Sequence, residues 1–276
     1  MEHPPKTLEE DVLPSPTTTE LEELDDPIVK LQPSKMEDYF FPVHKLKTRL
    51  EDDKKEPVVI VACGSFSPIT YLHLQMAKDY ILDTNFEIMG GYYSPVSDDY
   101  TKEGLAPSHH RVRMCELAVE RTSQWLMVDA WESLKEEYTR TAIVMDHFNK
   151  ELNDNRGGVM TSDGKKRKIK VILLAGGDLI ESFKIPRLWL DDDLHHILGD
   201  YGVLIVERTG ADVFGFLLSH DILYQHRKNV YVIKQLIYND ISSTKVRLFI
   251  KRGMSVKYLL PNSVIKYIHE NNLYTT

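Results

Sequence analysis

Apolar and polar residues follow each other along the chain in blocks of two kinds. Residues 58–63 form an unbroken, mostly β-branched run, which has the length and composition of a strand buried on both faces. Longer blocks, such as residues 107–122, place apolar residues three and four positions apart, which is typical of amphipathic helices. Because blocks of the two kinds alternate, the pattern predicts an α/β fold with a doubly wound, Rossmann-like parallel sheet.

The same pattern sets the bounds of the predicted elements. Strands are predicted at residues 58–63, 86–93, 125–130, 169–175, 202–207 and 230–233. Helices are predicted at residues 71–82, 107–122, 133–152, 178–183, 191–198, 214–223, 243–251 and 261–271, and a polar loop insert at 153–168. Ligands of such folds bind beyond the carboxyl ends of the strands, so the residues after Cys63, Tyr93, Ala130 and Ala175 are the candidates for a site.

The first 56 residues differ in composition from the rest. Residues 1–37 are rich in Pro, Thr, Glu and Asp, which predicts a disordered acidic tail. Residues 38–56 contain the run Tyr39-Phe40-Phe41, which we expect to dock on the folded domain of residues 57–276. Residues 1–56 hold 8 Lys/Arg and 15 Asp/Glu and so carry −7 of the net charge of −8. The nearly neutral remainder argues against nucleic acid or a membrane surface as a partner.

The cysteines and the apolar runs bound the cellular setting. The chain has 2 cysteines, which cannot form a disulfide framework or a zinc site by themselves. No apolar run approaches membrane-spanning length, and the acidic N-terminus is unlike a secretory signal. We therefore expect the protein in the nucleus and cytoplasm. The basic block Lys165-Lys166-Arg167-Lys168 is either a nuclear import signal or the solvated edge of the loop, and the sequence favours neither.

The segment after the first predicted strand has the features of a phosphate-binding turn. Gly64 permits a tight turn and the close approach of a ligand, and the helix predicted from residue 71 directs its first N–H groups at that turn. Thr70 and His73 lie three positions apart, so both can face a bound anion. A histidine there can donate a hydrogen bond to an α-phosphate as charge builds on it. Taken alone, His73 could instead cover a helix end.

A second segment, near the C-terminus, has complementary chemistry. Ser242, Ser243 and Thr244 can cap a helix and supply donors at its positive end. Lys245 and Arg247 add positive charge, and Arg is suited to bidentate phosphate contacts. An ordinary capped helix with solvated basic residues is the simpler interpretation of this segment alone. Two such segments at either end of one β/α pattern favour a nucleotide site.

Several motifs, in order along residues 57–274, resemble the eukaryotic nicotinamide-mononucleotide adenylyltransferases, and the fungal branch in particular. They are Gly64-Ser65-Phe66-Ser67-Pro68-Ile69-Thr70 with His73, Ser94-Pro95-Val96, Trp131-Glu132-Ser133-Leu134, Gly176-Gly177-Asp178, and Ile241-Ser242-Ser243-Thr244-Lys245-Val246-Arg247. The resemblance implies a nucleotidyltransferase-superfamily domain that transfers an adenylyl group from ATP to nicotinamide mononucleotide, or to nicotinate mononucleotide, forming NAD and pyrophosphate. It also implies Mg²⁺ carried with ATP, with no metal held by protein ligands alone.

The resemblance further implies which residues act. It implies His73 and Arg247 as the catalytic residues. For ATP and NAD it implies Gly64, Ser65, Phe66, Thr70, His73, Tyr100, Lys102, Gly176, Asp178, Arg208, Asn239, Ser242, Ser243, Thr244, Lys245, Val246 and Arg247. For the mononucleotide it implies Tyr138 as a stacking aromatic on the helix predicted at 133–152, with Thr141, Leu188 and Trp189. His110-Arg111 resembles a further phosphate-side pair.

Other interpretations of these residues and of the whole chain stay open. Trp131 and Tyr138 would also suit the core, Asp178 a helix cap, and Tyr100 and Lys102 an ordinary polar loop. The functional alternatives are another nucleotidyltransferase of the superfamily, such as one acting on phosphopantetheine, and a non-catalytic nucleotide-binding interaction protein that uses its acidic tail. The sequence decides neither the preferred mononucleotide nor whether the chain forms a homo-oligomer.

Overall fold

The apolar runs meet in a parallel sheet. The computed structural model describes residues 30–70, 85–120, 122–185, 187–207, 213–234 and 241–275. The strands of these residues are β1 (Glu56–Gly64), β2 (Phe86–Pro95), β3 (Leu126–Val128), β4 (Val159–Met160), β5 (Lys166–Arg167), β6 (Lys170–Gly176), β7 (Val203–Glu207) and β8 (Val230–Lys234). Six of these described strands form one parallel sheet in the order β3-β2-β1-β6-β7-β8. The order winds outward from β1 on one side and from β6 on the other, which confirms the predicted doubly wound α/β fold.

The α-helices of the described residues lie between and after these strands. They are α1 (Ser108–Glu120), α2 (Thr141–Asn149), α3 (Gly177–Ser182), α4 (Asp191–His196), α5 (Val213–Ser219), α6 (Asp221–Gln225), α7 (Ser243–Lys251) and α8 (Asn262–Glu270). Turns of π-helix at Lys150–Asp154 and Ile197–Tyr201 extend α2 and α4. In the described part of the chain, no helix is long and apolar enough to cross a membrane. The helix predicted at 71–82 lies outside the described residues.

The helix predicted at 133–152 is wrong in its first part, because α2 begins only at Thr141. Residues 131–140, which we call the arm, form turns instead. The Ser133 hydroxyl donates to the Ala130 carbonyl at 2.8 Å, and the Leu134 N–H donates to the same carbonyl at 3.0 Å. Local side-chain bonds of this kind compete with a helix. The helical ladder starts after Arg140, whose backbone is extended.

Two other predicted bounds also differ from the structure. The helix predicted at 214–223 is split at His220, whose ring nitrogen accepts the Leu223 N–H at 3.5 Å and so caps the second piece, α6. The polar loop predicted at 153–168 contains the antiparallel pair β4–β5. Residues before β1 extend this pair, since the Leu50 N–H donates to the Met160 carbonyl at 2.9 Å.

Both faces of β1 are buried, as the unbroken apolar run predicts. Val59 and Val61 face one core cluster, which includes Phe148 of α2. Val58 and Ile60 face the other cluster, on the opposite side of the sheet. Since successive strand residues point to opposite faces, the run needs apolar residues at every position.

The segment before β1 packs on this core. Phe41 is 6% exposed, and its ring centroid lies 5.0 Å from that of Tyr92. The Tyr39 hydroxyl lies 2.9 Å from His147 Nε2. The compact unit begins at Leu31, and Gln32 Oε1 accepts the Ala130 N–H at 3.0 Å. Of the tail predicted at residues 1–37, residues 1–29 lie outside the described residues, and its disorder stays a prediction.

Candidate active site

The strands on either side of the point where the sheet order reverses, β1 and β6, both end in glycine. Gly64 and Gly176 therefore border the crevice that folds of this class use for ligands. A Cβ at Gly64 would lie 3.2 Å from the Phe66 ring, so the turn closes tightly over this position. Phe66 has a left-handed backbone, with φ of 43°, and its buried ring meets the Tyr93 ring edge-on. Phe66 shapes the turn with its ring and can meet a nucleotide only through its main chain.

The N-terminus of α7 lies against the same turn. The Ser242 hydroxyl accepts the Lys245 N–H at 3.2 Å and caps the helix. The Ser243 hydroxyl donates to the Pro68 carbonyl at 2.8 Å. Val246 is fully buried, so its side chain fixes the helix to the core and does not line a site. The structure thus brings the turn after β1 (residues 64–70) and the start of α7 together, and we call this half of the site the phosphate side.

Arg247 joins the phosphate side to the loop after β2. Its NH1 donates to the Ser67 carbonyl at 2.8 Å and its NH2 to the Glu103 carbonyl at 3.3 Å. The Thr244 hydroxyl lies 3.4 Å from the same NH2. A Cβ at Gly104, where φ is +71°, would lie 2.7 Å from Arg247 Nε, so the guanidinium packs closely on this loop. Arg247 is only partly buried and keeps its charge at the edge of the site.

Two open clefts contain or adjoin predicted site residues. The first has a volume of about 600 Å³ and is lined by Asp98, Tyr100, Thr101, Lys102, Glu103, Leu105 and Pro107. It therefore contains the predicted nucleotide contacts Tyr100 and Lys102. The second, of about 570 Å³, lies beside the start of α3 and is lined by Gly177, Ile180, Glu181, Lys184, Val213, Gly215, Phe216 and Ser219. It adjoins the predicted Gly176-Gly177-Asp178 turn.

The prediction that Arg111 belongs to a phosphate-binding pair is wrong. Arg111 is fully buried in α1 and donates to the carbonyls of Ala106 (2.7 Å), Ser65 (3.2 Å) and Val96 (2.7 Å). Its NH2 also lies 3.1 Å from the Asp98 carboxylate. A guanidinium committed to these acceptors cannot reach a nucleotide. Arg111 holds the turn after β1 and the loop after β2 in a fixed relation.

Another set of predicted residues lies on the arm and at the start of α2. Tyr138 is on the arm, not on a helix, and is 45% exposed, which leaves a ring face open to a ligand. The Tyr138 N–H donates to Asp99 Oδ2 at 2.9 Å, and the Tyr138 and Tyr100 rings lie 5.7 Å apart. Thr141 is the first residue of α2. The exposure argues against the core interpretation of Tyr138.

Sequence reasoning gave no role to Glu132, which lies in the centre of this region. Its side chain is buried, and its Oε2 accepts the Ser94 hydroxyl at 2.6 Å. Burial raises the pKa of Glu132 to about 8, while the Ser94 hydrogen bond lowers it and the nearby Asp129 raises it. The sequence does carry a signal: Glu132 follows Trp131 and an apolar predicted strand, and a charged residue buried in such surroundings is seldom left unpaired.

Trp131 is partly buried and packs against the core cluster that contains Phe148. Its ring stacks on that of His147, with centroids 4.2 Å apart and planes 4° apart. His147 Nε2 lies 3.0 Å from Asp129 Oδ2 and 2.9 Å from the Tyr39 hydroxyl. Trp131 thus connects the base of the arm to the N-terminal segment.

Leu188 and Trp189 lie between α3 and α4. Leu188 is exposed, and Trp189 Nε1 donates to the Ser182 hydroxyl at 3.0 Å. Among the described residues, no hydrogen bond or ring contact joins Trp189 to Tyr138. An ion pair of 2.9 Å between Arg140 and Asp193 links the arm to α4 instead.

The remaining predicted site residues lie in the turn after β1, at the start of α7, or outside the described residues. Ser65 and Thr70 lie in the turn after β1, where Thr70 is fully buried, whereas Thr244 and Lys245 are exposed at the start of α7. His73, Arg208 and Asn239 lie outside the described residues, as does the side chain of Asp178.

Known proteins with similar sequences and folds place this site in a family. A family model described as cytidylyltransferase-like matches residues 61–249. A nicotinamide/nicotinic acid mononucleotide adenylyltransferase 2 of Saccharomyces cerevisiae is 68% identical over 259 residues, which is 92% of this chain and 65% of the relative. The enzyme of Schizosaccharomyces pombe is 61% identical over 96% of this chain and 73% of its own length. The nicotinamide/nicotinic acid mononucleotide adenylyltransferase 1 of Bos taurus is 40% identical over 82% of this chain and 92% of its own length.

Solved structures agree on the fold. The Plasmodium falciparum nicotinic acid mononucleotide adenylyltransferase complexed with NaAD has a TM-score of 0.57 at 21% identity. The match covers 79% of this chain and 98% of that one. This chain spans 65% and 64% of the length of the two S. cerevisiae relatives. The order of the motifs, the doubly wound sheet and these identities show that the chain belongs to the family of nicotinamide/nicotinic acid mononucleotide adenylyltransferases.

Proposed function

We propose that this chain transfers the adenylyl group of ATP to nicotinamide mononucleotide, and also to nicotinate mononucleotide, forming the dinucleotide and pyrophosphate. The names of its relatives state this pair of substrates, and a structural neighbour is complexed with NaAD. The single observation that supports the proposal most is the meeting of the turn after β1 with the start of α7, where Arg247 donates to Ser67.

The phosphate side suits a triphosphate. The first N–H groups of a helix have no partner within the helix, and the helix dipole favours anions at that end. α7 directs this end at the turn after β1, and the Arg247 guanidinium lies beside it. A nucleotide held there would lie next to the cleft that Tyr100 and Lys102 line.

The reaction needs positioning more than covalent chemistry. A phosphate oxygen of the mononucleotide attacks the α-phosphorus of ATP, and the bond from that phosphorus to the pyrophosphate oxygen breaks in line. Arg247, and His73 in the segment after Thr70, would stabilise the charge that builds on the α-phosphate. No covalent enzyme intermediate is required, since alignment of the two substrates lowers the barrier.

The arm suits the mononucleotide. Tyr138 offers a half-exposed ring face, and Thr141, the first residue of α2, brings a hydroxyl three positions later. A flat pyridine ring stacked on Tyr138 would place its ribose phosphate toward the phosphate side. Leu188 and Trp189 would close the site from the segment before α4.

We propose that Mg²⁺ arrives with ATP. In the described ranges, no group of three or more His, Cys, Asp or Glu side chains is placed to hold a metal ion. Mg²⁺ commonly keeps several waters and binds substrate phosphates, so Mg²⁺ bound with ATP would neutralise charge on the departing pyrophosphate. Turnover should then disappear with a chelator and return with MgCl₂, whereas the melting temperature of the protein alone should not change.

Pyrophosphate release with paired substrates tests the proposal. The purified chain is mixed with ATP and, separately, with nicotinamide mononucleotide, nicotinate mononucleotide, phosphopantetheine or no acceptor, and the dinucleotide is identified by mass. We expect release only with the two mononucleotides. Release with phosphopantetheine alone would show that the acceptor is not a pyridine mononucleotide. No release with any acceptor would refute adenylyl transfer and favour a non-catalytic nucleotide-binding protein.

We also propose that the basic block directs part of the protein to the nucleus, with the remainder in the cytoplasm. Lys165, Lys166 and Lys168 are exposed in or next to β5, whereas Arg167 donates to the Asp53 and Lys55 carbonyls. Replacing the lysines by Ala should therefore reduce nuclear accumulation of a tagged chain and leave turnover unchanged. An unchanged distribution in cells would leave the block as a loop edge.

A further inference from the structure

Glu132 lies where the arm leaves the sheet. It is 2% exposed, and its partner Ser94, near the end of β2, is 1% exposed. Ser94 stands opposite Cys63 in the pairing of β1 with β2, one residue before Gly64 meets Pro95. The Ser94–Glu132 hydrogen bond therefore fixes the base of the arm to the carboxyl edge that carries the phosphate side.

The contacts at the outer end of the arm each have one exposed partner. The buried Ser97 hydroxyl lies 3.4 Å from the carbonyl of the exposed Glu137, and the Tyr138 N–H donates to the exposed Asp99. Buried hydrogen bonds shielded from water are stronger than exposed ones, and losing one partner leaves the other unsatisfied. The Ser94–Glu132 hydrogen bond is thus a contact between the arm and β2 in which both side chains are buried.

We propose that Glu132 is a positioning residue for the mononucleotide: through its hydrogen bond with Ser94 it holds the arm so that the Tyr138 ring faces the phosphate side. The inference rests on the proposed function. Glu132 itself is buried and touches no substrate in this account, so it acts only through Tyr138.

The groups that surround the carboxyl define its protonation. They are Ser94 from β2, Cys63 from β1, Arg111 from α1, and Asp129 and Tyr138 on either side along the chain. Burial raises the pKa of Glu132 from 4.5 to about 8. Near pH 7 the folded protein therefore holds mostly the neutral acid, which glutamine resembles in shape and in its acceptor oxygen.

The kinetic test compares three variants. Ser94→Ala removes the donor, Glu132→Leu removes the acceptor at similar volume, and Glu132→Gln keeps the acceptor. We expect Ser94→Ala and Glu132→Leu to raise the KM of the mononucleotide about tenfold, equivalent to about 1.4 kcal/mol, and the KM of ATP less than threefold. Glu132→Gln should keep the mononucleotide KM within about threefold of wild type, because its side-chain oxygen can still accept the Ser94 hydroxyl.

A double variant separates positioning from a general structural effect. In a Tyr138→Ala background, Ser94→Ala should change the mononucleotide KM less than twofold, since contacts that act through one ring are not additive. Equal effects of Ser94→Ala with and without Tyr138, or parallel rises in both KM values, would overturn the inference. Wild-type turnover is measured first: its absence would refute the proposed function, whereas an active wild type with unchanged KM in Ser94→Ala refutes only the role of Glu132.

A melting series tests the buried state of the carboxyl. Because the pKa of Glu132 is raised in the folded protein, its contribution to the free energy of unfolding is fully present below pH 4.5. This contribution is lost as the pH rises to about 8. Glu132→Gln lacks this dependence, so its melting temperature should rise relative to wild type between pH 5 and pH 8. A constant difference over that range would contradict the buried state of the carboxyl.

Discussion

The phosphate side and the arm are held to the same sheet edge by different kinds of contact. On the phosphate side, side chains donate to main-chain carbonyls, as Arg247 does to Ser67 and Ser243 to Pro68. On the arm, main-chain contacts such as Ser133 to Ala130 are joined by pairs in which both partners are side chains, Ser94–Glu132 and Arg140–Asp193. A carbonyl is present whichever residue occupies the position, whereas a side-chain pair is lost with either partner. The hold on the phosphate side therefore depends less on residue identity than the hold on the arm does.

The largest effect should come from breaking the support behind the arm. A chain that begins at residue 44 lacks Phe41, and loss of a buried phenylalanine side chain costs about 3–5 kcal/mol. It also lacks Tyr39, which contacts His147 beside the base of the arm. We expect a correspondingly lower free energy of unfolding in urea.

The matched control for this truncation begins at residue 38 and keeps both aromatic residues. It loses the hydrogen bonds of Gln32 to Glu116 and Ala130, at about 1 kcal/mol each. Identical unfolding curves for the two truncated chains would show that the aromatic segment does not support the fold.

The next effect tests the phosphate side. Arg247→Ala should lower the turnover number roughly 10²–10³-fold, the loss expected when one donor to a developing oxyanion is removed. Arg252→Ala, at the other end of α7 and exposed, is the matched control and should leave turnover unchanged. If Arg247→Ala turned over at the wild-type rate, the reacting phosphates could not be placed beside α7. His73→Ala, measured in the same way, tests the second predicted catalytic residue.

The smallest of the three effects tests the arm. Stacking of a base on an aromatic side chain is worth about 1–3 kcal/mol, so Tyr138→Ala should raise the mononucleotide KM roughly 5- to 150-fold. The KM of ATP should change much less, and Tyr138→Trp should remain close to wild type. Tyr258→Ala removes a tyrosine that is 81% exposed and serves as the control. A large drop in melting temperature with equal changes in both KM values would show that Tyr138 supports the fold and does not stack on the mononucleotide.

The sequence predicted what depends on periodicity and on short contiguous motifs. The buried strand at β1 and the helix at residues 243–251 follow directly from their apolar patterns and from the capping serine. The meeting of Ser243 with Pro68 followed from the topology, because parallel strands end at one edge.

The predictions that were wrong concern residues whose contacts join positions far apart in the sequence. Arg111 has the charge of a phosphate ligand, and only the fold shows that carbonyls from three loop positions surround it. The arm has an amphipathic pattern, yet Ser133 and Glu132 find partners outside a helix. Neither outcome is encoded in local spacing, since each requires side chains brought together by the sheet.

The pairing of β1 with β6 has a consequence for how the chain is made. Val58 pairs with Lys170 and Val61 with Leu173, so the middle of the sheet joins segments more than a hundred residues apart. A nascent chain that has produced only β1, β2 and β3 can form those pairs but leaves one edge of β1 without its neighbour. Long-range parallel pairing is slow, and open strand edges invite association with other chains. The half-synthesised protein is therefore the form most exposed to misassembly, and a fragment that ends before residue 170 keeps that edge open permanently.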